Sequence, residues 1–474
     1  MTDPVLWTAE EAAAAVGAET DAAWTATGVS IDSRTVAAGD LFVALKGPVF
    51  DAHEFVADAL AKGAAGAIVN RRPDEMADDG RLLVVDDTLR ALEALGRAAR
   101  ARTSARVVAV TGSVGKTGTK EALKLVLDRH GKTHASAGSY NNQWGVPLSL
   151  ARMPADTDYA VFEIGMNHAG EITPLVKLAR PHVAMITTVE AVHLEFFDSV
   201  QGIADAKAEI FLGLEPDGTA ILNRDNPRYE QLLKRAGEAG VDNIVAFGSH
   251  PEAAVRLVNF ALHPTCSCIS ADIAGQPVTY KVASPGRHWV MNSLGVMAVL
   301  HVLGGDFGLA GLALAQMTPP KGRGQRHRVE LRSGSFELID DSYNASPAAM
   351  KAAFETLAAT TPGARGRRIA VLGDMRELGD QADRLHAALA DDLEETGIDL
   401  VFTAGTHMAK LHAALPDSRR GAHVEQSDEL PALLAQSIRS GDVVLVKGSL
   451  GSRMGPVVDA LLGRDADGKQ AANG

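Results

Sequence analysis

The residues best suited to chemistry lie in VAVTGSVGKTGTK, residues 108–120. A phosphate-binding loop commonly reads G-x-x-x-x-G-K-[ST], whereas here only Ser113 and Val114 separate the two glycines that precede Lys116 and Thr117. In such loops, backbone N–H groups and a helix N-terminus bind phosphate, the lysine neutralises charge and the threonine can bind magnesium. The stretch predicts a nucleotide site with a shortened loop. The alternative is a tight glycine turn beside a solvated lysine.

Two further segments carry side chains that suit this chemistry. YAVFEIGM is expected to be a strand that ends in Glu163, and VAMITTVEAVH a strand followed by a loop that carries His193. Residues beyond the carboxyl ends of parallel strands face the ligand crevice, so both side chains could approach a metal near Thr117. Taken separately, Glu163 could instead be a surface acid and His193 an ordinary loop histidine.

The elements that must position these residues fall into three blocks, because 474 residues exceed a single core. Residues 1–102 mix short apolar runs with Ala-rich helical stretches. Residues 103–320 open with the strand RVVAV, directly before the loop, and residues 321–474 alternate strand and helix patterns. This alternation predicts an α/β protein with mostly parallel sheets. No G-x-G-x-x-G follows any of the strands in the third block, so a dinucleotide site has no support.

Composition excludes several classes of protein. The formal net charge of −13 argues against a nucleic-acid partner, which needs a basic face. No apolar run of about 18 residues occurs, so no membrane span is expected. The first residues lack the basic start and apolar core of a signal peptide. The two cysteines, Cys266 and Cys268, are too close in sequence for a long-loop disulfide. We therefore expect a cytoplasmic protein.

Further motifs make the chain resemble the Mur ligase family, which uses a short T-G-x-x-G-K-T loop. The matching segments are DSRTVAAGDLFVALKG at 32–47, GSYNNQWGVPLSL, EIGMNHAGEI, DDSYNASP, VLGDMRELG and VLVKGSLGSRM. They span nearly the whole chain and most resemble the branch that joins D-alanyl-D-alanine to a UDP-N-acetylmuramoyl tripeptide. The resemblance implies an N-terminal UDP-sugar domain, a central ATPase domain and a C-terminal Rossmann-like domain.

The resemblance also implies a reaction with ATP and Mg²⁺. ATP would phosphorylate the terminal carboxylate of the UDP-muramoyl tripeptide, and the amine of D-alanyl-D-alanine would attack the acyl phosphate. The product would be the UDP-muramoyl-pentapeptide precursor of peptidoglycan, which serves cell wall biogenesis, cell shape and cell division. The family also suggests a monomer.

The resemblance assigns roles to individual residues. Those expected at ATP are Thr111, Gly112, Ser113, Val114, Gly115, Lys116, Thr117, Asn292, Arg323 and Asp341. Those expected at the UDP-sugar are Asp32, Ser33, Arg34, Asn141 and Asn142. The expected catalytic residues are Lys116, Glu163, His193 and Lys207, and the expected metal ligands are Thr117, Glu163, His193 and Lys207. Arg323 could instead be a solvated linker charge, and Asp341 a helix cap.

Lys207, in GIADAKAEIF, is expected on a helix, fourteen residues after His193. A neutral amine there can capture carbon dioxide, and the oxygens of the resulting carbamate suit magnesium. Desolvation or nearby cations favour the neutral amine, and the family carries its modified lysine at this point. The alternative is a surface lysine paired with Asp205 or Glu209.

Three other hypotheses remain. The nearest is the sister Mur ligase that adds the diamino acid. Its recognition motif resembles DNPR at 225–228, but here these residues follow TAILN in the central block and are typical of a turn. The segments DDSYNASP and NNQWGVP also argue against it. Folylpolyglutamate synthase has a similar loop but lacks an N-terminal block with DSR. The alternative from another class is a P-loop regulatory NTPase with a protein partner.

Overall fold

The computed structural model describes residues 4–47, 49–76 and 78–471, with side chains for all of these except Glu75 and residues 464–471. Its sheets are distributed over three successive domains, and most strand pairs are parallel, so the predicted α/β class is confirmed. Within the described residues, no helix combines the length and the apolar character that a membrane crossing requires.

The N-terminal domain contains a parallel sheet with the strand order β3-β4-β5-β6 and a small antiparallel ribbon, β1-β2. The apolar runs of β4 and β5 are buried and form its centre. Its elements are β1 (Trp7–Thr8), α1 (Ala9–Val16), β2 (Thr25–Ala26), β3 (Gly28–Ser30), β4 (Asp40–Val43), α2 (Val56–Ala61), β5 (Gly66–Val69), β6 (Leu82–Val84) and α3 (Thr88–Ala101).

The central domain contains a nine-stranded sheet with the order β15-β14-β13-β12-β11-β10-β7-β9-β8. Its strands are β7 (Arg106–Thr111), β8 (Thr133–Ala135), β9 (Tyr159–Glu163), β10 (Val183–Ile186), β11 (Thr219–Asn223), β12 (Asn243–Gly248), β13 (Val255–His263), β14 (Cys266–Ile273) and β15 (Gln276–Val282). Its helices are α4 (Lys116–Leu127), α5 (Gly145–Ala151), α6 (Ile172–Ala179), α7 (Val200–Ala208), α8 (Tyr229–Glu238), α9 (Arg287–Leu303) and α10 (Phe307–Leu314).

The order of this sheet places the candidate site. Strand β7 lies between β9 and β10, and all three run parallel. Their carboxyl ends therefore meet at one edge, which brings together the loop after Thr111, Glu163 at the end of β9 and the loop after Ile186. Strands β13, β14 and β15 extend the other end as an antiparallel meander that the strand–helix pattern does not predict.

The C-terminal domain contains a six-stranded sheet with the order β16-β17-β21-β18-β19-β20, in which only the β16–β17 pair is antiparallel. Its strands are β16 (Gln325–Glu330), β17 (Ser335–Asp341), β18 (Arg368–Gly373), β19 (Leu400–Ala404), β20 (Arg420–Val424) and β21 (Val443–Lys447). Its helices are α11 (Pro347–Ala359), α12 (Ala382–Glu395), α13 (Met408–Ala414), α14 (Leu430–Ser437) and α15 (Gly455–Ala471).

Buried hydrogen bonds join the N-terminal domain to the central domain. The indole Nε1 of Trp7 donates to the carbonyl of Ala151 at 2.8 Å. Arg100, which is 6% exposed, donates from Nε to the carbonyl of Ala179 at 2.9 Å. Because a buried donor that loses its acceptor costs free energy, these contacts oppose separation of the two domains.

Candidate active site

The phosphate loop connects β7 to α4 through two glycines whose φ is positive. Gly112 has φ 152° and Gly115 has φ 86°. A Cβ atom on Gly112 would lie 1.9 Å from Thr187 Oγ1, and one on Gly115 would lie 2.9 Å from Asn292 Oδ1. Only glycine fits such positions, so the spacing of the motif follows from the packing of the loop against β10 and α9. The two glycines therefore form a tight turn, as the sequence suggested. This turn leads directly into the N-terminus of α4.

Neighbouring residues after β10 hold the loop in place. The Ser113 hydroxyl accepts from Glu190 N at 2.9 Å and donates to Glu190 O at 3.1 Å. The backbone N–H of Ser113 donates to Thr188 O at 2.9 Å, and the Thr187 hydroxyl donates to Val114 O at 2.6 Å. The loop is thus fixed before any phosphate binds, which reduces the ordering cost of binding.

Lys116 lies at the start of α4 with its ammonium folded over the loop. Its Nζ donates to Gly112 O at 2.6 Å and to Ser113 O at 3.4 Å. Burial lowers the pKa of Lys116, the Glu163 carboxylate opposes that shift, and the positive charge of Arg323 adds to it. The solvated-lysine alternative is therefore wrong, and the side chain is positioned to meet an anion at the loop.

Glu163 forms a buried hydrogen-bonded group with two neighbours. It is 1% exposed, so the surface-acid alternative is wrong. Its Oε2 accepts from the Thr117 hydroxyl at 2.7 Å, and its Oε1 accepts from Asn141 Nδ2 at 2.7 Å. The Ser139 hydroxyl lies 3.3 Å from that of Thr117. Hydroxyl and carboxylate oxygens thus converge beside the phosphate loop.

A cavity of about 1080 Å³ opens over the loop, between the central and C-terminal domains. It brings together most of the predicted nucleotide and catalytic residues, and Tyr343, Glu377 and Lys447 of the C-terminal domain, which the sequence did not single out, also line it. The predicted residues on its wall are Ser113, Val114, Gly115, Lys116, Thr117, Asn141, Glu163, His193, Asn292, Arg323 and Asp341.

Thr111 and Gly112 are exceptions among the predicted nucleotide residues. Neither lines the cavity: Thr111 is the last residue of β7, and Gly112 is the first residue of the loop. Thr111 is fully buried, and its hydroxyl has no hydrogen-bond partner in the described part of the chain. The Thr111 side chain therefore does not reach the space that a nucleotide would occupy.

Lys207 lies on α7 and is 1% exposed. Burial lowers its pKa well below the ordinary value, and the positive charge of Lys116 adds to that shift. The surface-pair alternative is wrong, because Asp205 pairs with Arg235 at 2.7 Å and the Glu209 carboxylate accepts from residues of the α6 start. Lys207 is not among the residues that line the cavity.

The linker residue Arg323 contacts both domains. It donates from a guanidinium nitrogen to Ser139 Oγ at 3.2 Å. Its guanidinium carbon also lies 4.4 Å from the centre of the Tyr343 ring, a cation–π arrangement. Arg323 is therefore held at the cavity rather than solvated on the linker.

Asp341 ends β17 and pairs with a lysine that the sequence did not single out. Lys447 Nζ lies 2.6 Å from Asp341 Oδ2 and 2.9 Å from the carbonyl of Asn344. Burial raises the pKa of Asp341, and the Lys447 ammonium opposes that shift. The helix-cap alternative is wrong. The sequence could have pointed to Lys447, because this residue is the single charged side chain of the otherwise apolar strand VVLVK.

The residues predicted at the UDP-sugar are divided between two places. Asp32 and Arg34 form an ion pair of 2.6 Å in which the Arg34 side chain is 86% exposed. The carbonyl of Ser33 accepts from Lys62 at 2.8 Å. None of Asp32, Ser33 and Arg34 lines the large cavity.

Asn141 and Asn142 lie at a second cavity of about 890 Å³, between α3 and the central domain. Asn141 and the segment Gly165–Asn167 line both cavities, so the two spaces adjoin. The Asn142 carboxamide oxygen accepts from Gly145 N at 2.9 Å at the start of α5. The two adjoining cavities thus connect the phosphate loop to the N-terminal domain.

The residues beside the phosphate loop could supply some of the ligands of a magnesium ion. The described residues contain no group of three or more His, Cys, Asp or Glu side chains that could hold a metal. Thr117 and the buried Glu163 nevertheless offer hard oxygen atoms, and His193 Nε2 has no hydrogen-bond partner in the described part of the chain. Magnesium is commonly held by one or two protein ligands together with phosphate and water, which this set fits.

Family comparisons agree with this arrangement. The model of the Mur ligase family catalytic domain matches residues 25–103, that of the Mur ligase middle domain 110–300, and that of the Mur ligase glutamate ligase domain 327–450. The fold and the site define an ATP-dependent acid–amino-acid ligase. The chain belongs to the Mur ligase family.

Comparisons with individual proteins show which members of the family this chain is similar to. A UDP-N-acetylmuramoyl-tripeptide–D-alanyl-D-alanine ligase of Escherichia coli is 37% identical over 91% of this chain and 93% of its own length. The crystal structure of MurF from Acinetobacter baumannii matches with a TM-score of 0.83 and 31% identity, over 96% of this chain and 98% of that one. MurF from Thermotoga maritima in complex with ADP matches with a TM-score of 0.77 and 27% identity, over 93% of this chain and 98% of that one.

Proposed function

We propose that this protein joins D-alanyl-D-alanine to UDP-N-acetylmuramoyl-tripeptide at the expense of ATP, giving the UDP-muramoyl-pentapeptide. The observation that carries the proposal is the cavity in which the phosphate loop of the central domain faces Asp341 and Lys447 of the C-terminal domain. The name of the E. coli relative, aligned over nearly its full length, supplies the choice of amine and acceptor.

The phosphate loop and Lys116 bind the triphosphate of ATP in this proposal. The ammonium of Lys116 turns from the loop carbonyls to the outer phosphates and screens the repulsion between them and the substrate carboxylate. Thr117, Glu163 and His193 would hold a magnesium ion, which would supply further neutralisation of phosphate charge. Asn292, Arg323 and Asp341 contact the rest of the nucleotide from α9, the linker and the end of β17.

The substrate carboxylate attacks the γ-phosphorus, and ADP leaves with the electrons of the broken P–O bond. The neutral amine of D-alanyl-D-alanine then attacks the acyl carbon, inorganic phosphate leaves, and the amine loses a proton as the amide forms. Water would hydrolyse the acyl phosphate, so closure of the cavity between the two domains protects it.

The UDP-sugar binds on the N-terminal side of the site in this proposal. Asp32, Ser33 and Arg34 contact the nucleotide-sugar, and Asn141 and Asn142 contact the part that passes the second cavity. Because Asn141 also donates to Glu163, the substrate would lie against the same hydrogen-bonded group that faces the phosphates.

We further propose that Lys207 is carbamoylated in the active enzyme. Support comes from its burial and from its pKa, which burial and the nearby charge of Lys116 lower. A neutral amine can add to carbon dioxide, and the resulting carbamate adds oxygen atoms to a set of ligands that is otherwise small.

We place the domain boundaries after residues 102 and 320, the latter in the segment that precedes β16. The segment TPPKGRG before β16 contains Pro and Gly residues, and β16 itself begins at Gln325. We also propose a cytoplasmic monomer that acts on soluble substrates and binds no nucleic acid, in keeping with the net charge of −13.

One coupled assay tests the proposal against its alternatives. Purified protein is given ATP and either UDP-muramoyl tripeptide or UDP-muramoyl dipeptide, with D-alanyl-D-alanine, diaminopimelate or glutamate as the amine, and phosphate release and product mass are measured. Amide formation only with D-alanyl-D-alanine is expected. Diaminopimelate joined to a UDP-muramoyl dipeptide would instead indicate the sister ligase, and ATP hydrolysis without any amide product would indicate a regulatory NTPase.

A further inference from the structure

Two loops from different domains meet at one point of the cavity wall. His193 lies in the loop after β10 of the central domain, and Glu377 lies between β18 and α12 of the C-terminal domain. His193 Nδ1 lies 2.5 Å from Glu377 Oε2. With a proton on Nδ1, the imidazole donates to the carboxylate, and the lone pair of Nε2 remains available. The contact therefore selects the tautomer in which Nε2 can bind a cation.

Both residues hold backbone conformations that non-glycine residues rarely adopt. His193 has φ 56° and Glu377 has φ 64°. Such conformations cost free energy and persist where surrounding contacts impose them. Here the N–H of Glu195 donates to Glu377 O at 3.3 Å, so the backbone of one loop binds the other. Two residues in unfavourable backbone conformations meet at one contact. We therefore interpret this contact as a specific feature of the fold rather than an incidental approach of two loops.

The loop that carries Glu377 is fixed to its own domain. The N–H of Met375 donates to Nε2 of His386 at 2.9 Å, and the N–H of Arg376 donates to Ser449 Oγ at 2.9 Å. Glu377 therefore moves with the C-terminal domain as a rigid part of it. His193 is bound to the central domain, so the distance between them depends on how the two domains are placed.

We propose that Glu377 is a positioning residue that orients His193 for its metal ion only when the C-terminal domain lies against the central domain. Closure of the domains and completion of the metal site are then one event. Histidines that bind metals usually donate their second N–H to a carboxylate or carbonyl, and loss of that partner weakens metal affinity about 10- to 100-fold. The proposal rests on the proposed function insofar as His193 is taken as a magnesium ligand.

The test is the affinity of the ADP complex for Mn²⁺, measured by electron paramagnetic resonance of the free ion. It needs neither the amine nor the UDP-sugar, so failure of the proposed ligation and failure of this inference are distinguishable. Glu377→Ala is expected to raise the Mn²⁺ dissociation constant about 10-fold. Glu377→Gln, whose amide oxygen still accepts from Nδ1–H, is expected to recover most of that loss. The Glu377 side chain is 39% exposed, so both variants should fold.

A double-mutant cycle separates positioning from a general structural effect. In a His193→Ala background, Glu377→Ala is expected to change Mn²⁺ affinity by less than about twofold, because the oriented group is absent. Asp383→Asn and Asp383→Ala are the matched controls. Asparagine keeps an acceptor for His407, so Asp383→Asn is compared with Glu377→Gln. Asp383→Ala is compared with Glu377→Ala, because it breaks another carboxylate–histidine pair of the same domain, with His407 at 2.8 Å, away from the cavity. Unchanged Mn²⁺ affinity in Glu377→Ala, or an equal loss with and without His193, would overturn the proposal.

Discussion

Lys447 and Asp341 end two adjacent parallel strands. Their charged groups lie 2.6 Å apart on the wall of the cavity over the phosphate loop. The Lys447 side chain is 3% exposed and that of Asp341 is 23% exposed. A pair of this kind is costly to break from one side only, because the remaining charge has lost its partner in a poorly solvated place.

We expect Lys447→Met to destabilise the protein by about 3 kcal/mol, because it leaves the Asp341 carboxylate without its counter-charge. The double variant Lys447→Met/Asp341→Asn should recover much of that stability without recovering ligase activity. Chemical denaturation followed by fluorescence measures the first effect and the coupled assay the second. Full stability of the single variant would contradict this account of the pair.

We expect Lys116→Ala to reduce phosphoryl transfer by about 10³-fold while the UDP-sugar still binds, because the phosphate charge loses its principal cation. Isothermal calorimetry with the UDP-tripeptide provides the binding control. Ligation at more than a few per cent of the wild-type rate would remove Lys116 from the mechanism.

Arg34→Ala is expected to raise the KM for the UDP-tripeptide about 10-fold and to leave that for ATP unchanged, because the proposed contact of its guanidinium with an anionic group of the substrate is lost. Arg81→Ala provides a matched control. Arg81 forms the same type of ion pair with Asp79, two residues earlier in the same domain, at 2.6 Å. The two variants should differ in KM. If they behave alike, Arg34 has no special role in substrate binding.

Lys207→Ala is expected to lose about 100-fold or more of the activity, and added acetate should restore part of it by supplying carboxylate oxygens in place of the carbamate. Acetate should not rescue Lys116→Ala, whose defect is a missing cation. A fully active Lys207→Ala enzyme, or an unmodified Lys207 in the magnesium–nucleotide complex, would show that no carbamate is required.

His386 should make stability depend on pH. It is fully buried, its Nδ1 donates to Ala382 O at 2.7 Å and its Nε2 accepts from Met375 N, so the folded protein holds the neutral ring. Burial lowers the pKa of His386, and the Ala382 carbonyl opposes that shift. The unfolded chain therefore binds a proton that the folded protein does not. Stability should fall as pH falls below about 6.5 until the lower pKa of the folded state is reached.

The measurement is the free energy of unfolding at pH 7 and pH 5. His386→Gln, which keeps an acceptor but does not titrate, should lose less stability between these two values than the wild type. His250→Gln, at a histidine with a 40% exposed side chain, is the control. An unchanged pH dependence in His386→Gln would assign the effect to other groups.

The sequence predicted the part of the site that is encoded locally. An apolar strand, a glycine loop and a helix follow one another at residues 106–127, and Glu163 ends its strand as expected. Parallel neighbours then bring these ends together, which is a general property of such sheets. The phosphate loop and the position of Glu163 were therefore accessible without a structure.

Contacts between segments that are far apart in the sequence could not be predicted in the same way. Glu377 meets His193 across 184 positions of the chain, and Lys447 meets Asp341 across 106, with no periodic pattern to join them. The burial of Lys207 is likewise a property of how α7 packs, since its helix also carries Asp205 nearby as a plausible surface partner. The β14 strand does show alternating burial that its sequence could have revealed.

The buried hydrogen bonds of Trp7 and Arg100 have a consequence for substrate selection. They join the N-terminal and central domains, so they oppose changes in the separation between the proposed UDP-sugar residues 32–34 and the phosphate loop. A substrate held at its nucleotide end can then deliver its terminal carboxylate to ATP only if its peptide spans that separation. One amino acid extends a chain by at most about 3.6 Å, so a dipeptide would stop short of the phosphate by about that distance. The rigid junction would thus measure peptide length, and the enzyme would select the tripeptide by reach rather than by contact with each residue.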